Sequence, residues 1–170
     1  DPHEEKQLKI DLEDKDKKMT HEEMVEELWN REMIKELTYE YGLAIEAQDI
    51  ERLVGLFTPT GSVDFSSLGR GVVEGPEALK EFYPVTWPLE VKPFFTNHMI
   101  RIDGDSATGF CSLENRGSRD GESLIGAGRL HDVYEKIDGA WKFASRRVEM
   151  FYFVPLSEGW AKADGPGRLL

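Results

Sequence analysis

The chain has a single cysteine among its 170 residues, Cys111, so no disulfide can form within it. It also has no apolar run near the roughly 18 residues of a membrane-spanning helix, and its polar first stretch does not read as a signal peptide. Basic residues are in the minority. Against 33 Asp and Glu there are 21 Lys and Arg, a formal charge of −12, which argues against nucleic acid or an anionic membrane as partner. The four histidines, His3, His21, His98 and His131, show no zinc spacing, so no metal is expected. GPEALK lacks the lysine spacing of a phosphate loop, and no serine sits in a nucleophile elbow. These absences favour acid–base chemistry on a neutral apolar molecule over redox or phosphoryl transfer. With Cys111 in a strand-like run, the expectation is a buried inert thiol and a cytoplasmic protein.

The residues present set out an α+β order. Residues 1–19 mix both charges densely and read as a mobile arm. Thr20 and Glu23 form a capping box that opens a long helix, in which Ile34, Leu37, Tyr41, Ala44 and Ile45 recur at helical spacing. Within that helix Gly42 costs about 1 kcal/mol relative to alanine, which suits a close contact. Asp49 caps a second helix, the breakers TPTG lead into the short strand SVDFS, and Gly75-Pro76 opens a third helix. Past the loop YPVTWPLE the period changes. Residues 91–102, 106–116, 122–136 and 140–154 read as four strands, joined by Asp103-Gly104, GSRDG and Asp138-Gly139. Phe94 and Ile100 alternate with Phe95 and Met99, so both faces of the sheet need cover, and a second subunit is a natural supplier. One domain is expected over 20–156, with 157–170 as a tail, interface arm or lid.

IKELTYEYGLAIEAQDIERLVGLFTPTGSVDF, TNHMIRIDGDSATG and YEKIDGAWKFASRRV together resemble the SnoaL-like branch of the nuclear transport factor 2-like superfamily. The resemblance covers roughly residues 25–156. It implies a cone-shaped barrel of curved antiparallel sheet, with about three N-terminal helices enclosing an apolar pocket, often as a homotrimer. Scytalone dehydratase, bile acid 7α-dehydratase, hexachlorocyclohexane dehydrochlorinase and diarylpropane lyases share the pattern. By that likeness the chain is expected to be a cofactor-free lyase acting on a small hydrophobic ring-bearing substrate, with loss of water or formaldehyde. The alternatives are an isomerase or polyketide cyclase, or the noncatalytic small subunit of a ring-hydroxylating dioxygenase.

The resemblance places a carboxylate at Glu46 and an aromatic pocket residue at Tyr41, and it expects a histidine where this chain has Pro93. Without that histidine the catalytic candidates are Glu46, Tyr41, Arg129, His98 and His131. Glu46 is a base or acid whose chemistry rests on burial near an apolar pocket. Tyr41 can donate to a substrate oxygen. Arg129 and His131 share strand parity and would offer a cation and a proton carrier. If Pro93 faces the pocket, strict alternation sends Phe95, Asn97 and Met99 inward and His98 outward; only a bulge would bring His98 round. Asn97, Asn115, Phe95, Met99, Trp87 and Tyr152 are the expected substrate-binding residues. Arg146 and Arg147 read as ion-pair partners.

Overall fold

The computed structural model describes residues 19–161, so the calls on the N-terminal arm and on the end of the tail lie outside the described residues. The chain divides into two compact units, Asp1–Asn30 and Arg31–Leu170. The described part of the first carries the start of helix α1 (His21–Ala47). There the capping box is present: Glu23 N–H donates to Thr20 Oγ1 at 3.2 Å, and Thr20 N–H to Glu23 Oε2 at 2.8 Å.

The second unit contains the rest of α1, then α2 (Ile50–Val54), β1 (Phe57–Asp64), β2 (Val72–Glu74), α3 (Pro76–Phe82), β3 (Lys92–Asp103), β4 (Ser106–Arg119), β5 (Glu122–Ile137) and β6 (Ala140–Pro155). Asp49 caps α2 by accepting from Arg52 N–H at 3.1 Å, and Pro76 occupies the first turn of α3. The four long strands lie within a few residues of their expected bounds. Three stretches differ, the first being Val72–Glu74, which is outside the expected strands and forms β2. TPTG is part of β1, carried through an irregular register, and YPVTWPLE winds into a 3-10 helix at Tyr83–Leu89. A proline at its start and another inside it fix φ near the helical value, which turns an expected loop into a turn of helix.

The strands form one sheet in the order β2-β1-β6-β5-β4-β3. β3 through β6 are an antiparallel meander, but β1 runs parallel to β6, so the sheet is mixed, and among the described residues it is open, with β2 and β3 at its edges. Ile34, Leu37, Tyr41 and Ala44 of α1 join Leu113, Leu130, Tyr134, Phe143 and Val148 in one core on the helix-covered face. Phe94, Met99, Phe110 and Phe151 remain exposed on the other. Among the described residues, no helix is long and apolar enough to cross a membrane.

Register shifts interrupt this alternation. On β3, buried or half-buried positions run Pro93, Phe95, then His98, Ile100 and Ile102; the step of three falls between Thr96 and Met99. Asn97 at the break has φ 54°. On β6 the inward set is Trp141 and Phe143, then Arg146, Val148 and Met150, then Phe153, with two more shifts. Each extra residue reverses the parity of everything after it.

Candidate active site

An apolar cavity of about 100 Å³ lies between α1, the 3-10 helix and the sheet. Tyr41 and Ile45 come from α1, Tyr83 and Thr86 from the 3-10 helix, Pro93 and Phe95 from β3, and Asn115 from β4. The Tyr41 and Tyr83 hydroxyls are hydrogen-bonded to each other at 2.9 Å. Burial raises the pKa of Tyr41, against the lowering effect of the Arg146 charge, and burial puts Tyr83 well above its ordinary value. Both phenols therefore stay protonated at neutral pH; one proton lies between them, which leaves the pair one O–H to donate.

Behind Tyr41 lies a buried polar chain. The Arg146 guanidinium carbon is 4.2 Å from the centroid of the Tyr41 ring and 4.1 Å from that of Phe143. Arg146 donates through Nε and Nη2 to the two oxygens of Asp132, each at 2.8 Å. Burial works against the Arg146 charge, but the adjacent carboxylate outweighs it and holds the guanidinium pKa above its ordinary value. Tyr134 donates its only hydroxyl proton to Asp132 Oδ2 at 2.8 Å, so the 3.1 Å contact with His98 must use a proton on Nε2. That fixes the imidazole as the Nε2-protonated tautomer and leaves Nδ1 bare, with no partner among the described residues. Burial lowers the His98 pKa to about 4, so the ring is neutral.

A wider cleft of about 440 Å³ adjoins the cavity, and Ile45, Thr86 and Val91 line both. Its other walls include Glu46, Trp87, Lys92 and Arg116. The Glu46 side chain is 36% exposed and lies 3.9 Å from Lys92 Nζ.

These positions sort the expected residues. Tyr41, Phe95 and Asn115 line the cavity, while Glu46 and Trp87 line the cleft beside it, Glu46 in a solvent-open setting rather than a desolvated one. His98 faces inward, because the bulge at Asn97 reverses the pleat, and it joins the buried chain without lining the cavity. The same bulge exposes Asn97 and Met99, which were expected inside. Arg129 and His131 do share a face, but it is the outer one. Arg129 lies over Phe110 and Phe151, and His131 bonds Glu149 at 2.7 Å. Tyr152 is half-buried away from the cavity and stacks on Trp160 at 5.9 Å. Arg146 is the ion-pair partner expected, whereas Arg147 is exposed. Cys111 is buried and free, its thiol pushed up to about 12 by burial, as suits an inert position. Among the described residues no cluster of three His, Cys, Asp or Glu forms a metal ligand set.

Sequence reasoning missed Tyr83, Asp132 and Tyr134. The run LHDVY held the signal for two of them: Leu130, Asp132 and Tyr134 share the inward parity, and a buried aspartate demands a cation. Tyr83 was hidden because its segment read as a loop.

Helices laid over one face of a bent mixed sheet, with an apolar cavity between them, define an α+β fold of the nuclear transport factor 2-like class. The SnoaL-like domain model matches residues 26–147, and the chain belongs to that family. A gamma-hexachlorocyclohexane dehydrochlorinase from Sphingobium indicum is 28% identical over 121 residues, covering 68% of this chain and 76% of the relative. Solved structures agree in fold. A hexachlorocyclohexane dehydrochlorinase from Novosphingobium barchaimii matches with a TM-score of 0.71 at 24% identity, over 78% of this chain and 94% of its own. A scytalone dehydratase candidate from Novosphingobium aromaticivorans matches at 0.70 and 17% identity, over 84% and 95%.

Proposed function

We propose that the protein is a cofactor-independent lyase that eliminates a small group from a hydrophobic cyclic or aromatic substrate by acid–base chemistry. The observation that carries this reading is the Tyr41–Tyr83 hydroxyl pair inside an apolar cavity that adjoins the cleft bearing Glu46. The substrate ring enters the cavity. Glu46, at the junction beside Ile45, takes the proton from carbon, and the electron pair of that C–H bond forms the new double bond. The phenol pair donates to the oxygen that leaves or gains charge. Loss of water is the default. For release of formaldehyde Glu46 would instead take the proton of a hydroxymethyl O–H; the C=O forms as the C–C bond breaks, and its electron pair makes the double bond while the hydroxyl leaves. With Pro93 in the cavity wall, no imidazole stands beside Glu46 at that strand position, so the carboxylate acts without a histidine partner there. The family relative named as a hexachlorocyclohexane dehydrochlorinase supports elimination from a ring as the reaction class.

The test is a survey of ring-bearing hydroxylated compounds with product mass measured, followed by Glu46→Gln and Tyr41→Phe on whichever compound turns over. Removing the carboxylate or the donor is expected to lower kcat by about 10²-fold or more. Full turnover by Glu46→Gln rules the mechanism out.

Self-association belongs to the same reading. Phe94, Met99, Phe110 and Phe151 leave the outer face of the sheet apolar, and a homo-oligomer, a trimer by family likeness, would cover it. Light scattering that finds a monomer at micromolar concentration removes that part.

A further inference from the structure

Asn115 lines the inner cavity, and among the described residues nothing donates to its buried Oδ1. Asn115 sits on β4 opposite Pro93 and is nine-tenths buried. A carbonyl oxygen taken out of water with nothing donating to it costs about 1–3 kcal/mol. Buried acceptors are nearly always satisfied, so an orphan at a cavity wall points to a donor that arrives with the ligand. The side chains of Pro93, Phe95, Leu113 and Val148, which share the cavity, have no donor to offer. Walls that are mainly aromatic and aliphatic favour a donor carried on an apolar body over a lone water.

Size and wall chemistry narrow the ligand further. A cavity of about 100 Å³ is on the scale of one six-membered ring; for comparison, an engineered apolar cavity of about 150 Å³ takes benzene. Tyr41, Phe65, Tyr83, Phe95 and Phe153 surround it with aromatic faces and edges. Among the described residues no carboxylate lines it to hold an ammonium, and no basic side chain lines it to hold an acid. A neutral aromatic ring bearing one donor meets these conditions. A phenol hydroxyl also accepts a hydrogen bond, which suits a cavity that holds the Tyr41–Tyr83 pair as well.

We infer that the inner cavity is a phenol subsite, in which the ligand's hydroxyl donates to Asn115 Oδ1 and its ring packs among the aromatic walls. The inference rests on the lyase reading only in naming the substrate class of the same site. It is read by binding, without turnover.

The probes are phenol, its near-isostere toluene and its methyl ether anisole, titrated into the full chain by calorimetry or chemical-shift perturbation. Phenol is expected to bind at least tenfold more tightly than toluene or anisole. Asn115→Leu is expected to abolish that gap by weakening phenol about tenfold while leaving toluene binding intact. If that variant does not fold, the wild-type comparison of phenol with anisole and the shift of the Asn115 amide resonance decide alone. Equal affinities in the wild type, no binding of any probe, or a gap that survives in Asn115→Leu overturns the inference, as does a preference for aniline over phenol. Phenol selectivity in a protein that turns over no ring substrate keeps the subsite and removes the lyase. Turnover without phenol selectivity does the reverse.

Discussion

Asp132 and Arg146 form a two-pronged ion pair with no side-chain exposure on either partner, and the Arg146 guanidinium carbon in turn sits over the ring of Tyr41, 4.2 Å from its centroid. The pair thus connects the sheet to the cavity wall. Removing one charge strands the other in the core, so Asp132→Asn or Arg146→Met is expected to cost about 3–5 kcal/mol in urea unfolding. The double variant Asp132→Leu/Arg146→Met removes both charges and should recover most of that loss. A double variant no more stable than either single one argues against this account.

The left-handed backbone at Asn97 is what aims His98 inward. Asparagine tolerates φ near 54°, and its side chain donates to Ser112 Oγ at 3.3 Å. A β-branched residue does not tolerate it. Asn97→Val is expected to destabilise by about 1–2 kcal/mol, or to iron out the bulge and turn His98 to solvent. Asn97→Gly should be close to neutral in thermal unfolding. A neutral Asn97→Val would mean that the bulge does not depend on this residue.

These bulges mark where the sequence stopped being legible. Helix caps, turn dipeptides and strand bounds come from local chemistry, and they stand in the structure nearly where the residues placed them. Period-2 alternation is also local, but it fails silently when one extra residue is inserted into a strand. His98 and Arg146 both lie beyond such an insertion, while Arg129 and His131, on uninterrupted parity, keep their shared face and simply face outward. The inward or outward sense of a whole strand is a tertiary fact, and no spacing within the strand encodes it.

His98 gives the protein a specific acid sensitivity. Its folded pKa of about 4 lies below the ordinary value of 6.5, so protonation favours the unfolded chain. Its contribution to stability is full above about pH 6.5 and is lost as the pH falls toward 4. A shift of that size sets a ceiling of about 3 kcal/mol, and the ring's partial exposure reduces it to about 1–2 kcal/mol. The unfolding free energy from denaturant titrations should fall by at least that amount from pH 7 to pH 4 in the wild type and by less in His98→Gln. Equal slopes in the two proteins would remove His98 as the cause.

Gly42 links the helix to the cavity. A Cβ placed there would meet Phe95 Cε2 at 2.8 Å and Pro93 Cγ at 3.5 Å, and both residues line the inner cavity. Gly42→Ala gains about 1 kcal/mol of helix propensity but forces the Phe95 ring to give way. The first contact is the far edge of a half-buried ring, so the ring moves and the backbone does not. The displaced ring goes into a space of only about 100 Å³. Stability should therefore change by less than about 1 kcal/mol, while toluene, as a ring-sized probe, should bind several-fold more weakly. A variant that is strongly destabilised, or one that binds toluene as well as the wild type, would show that Phe95 does not set the size of the cavity.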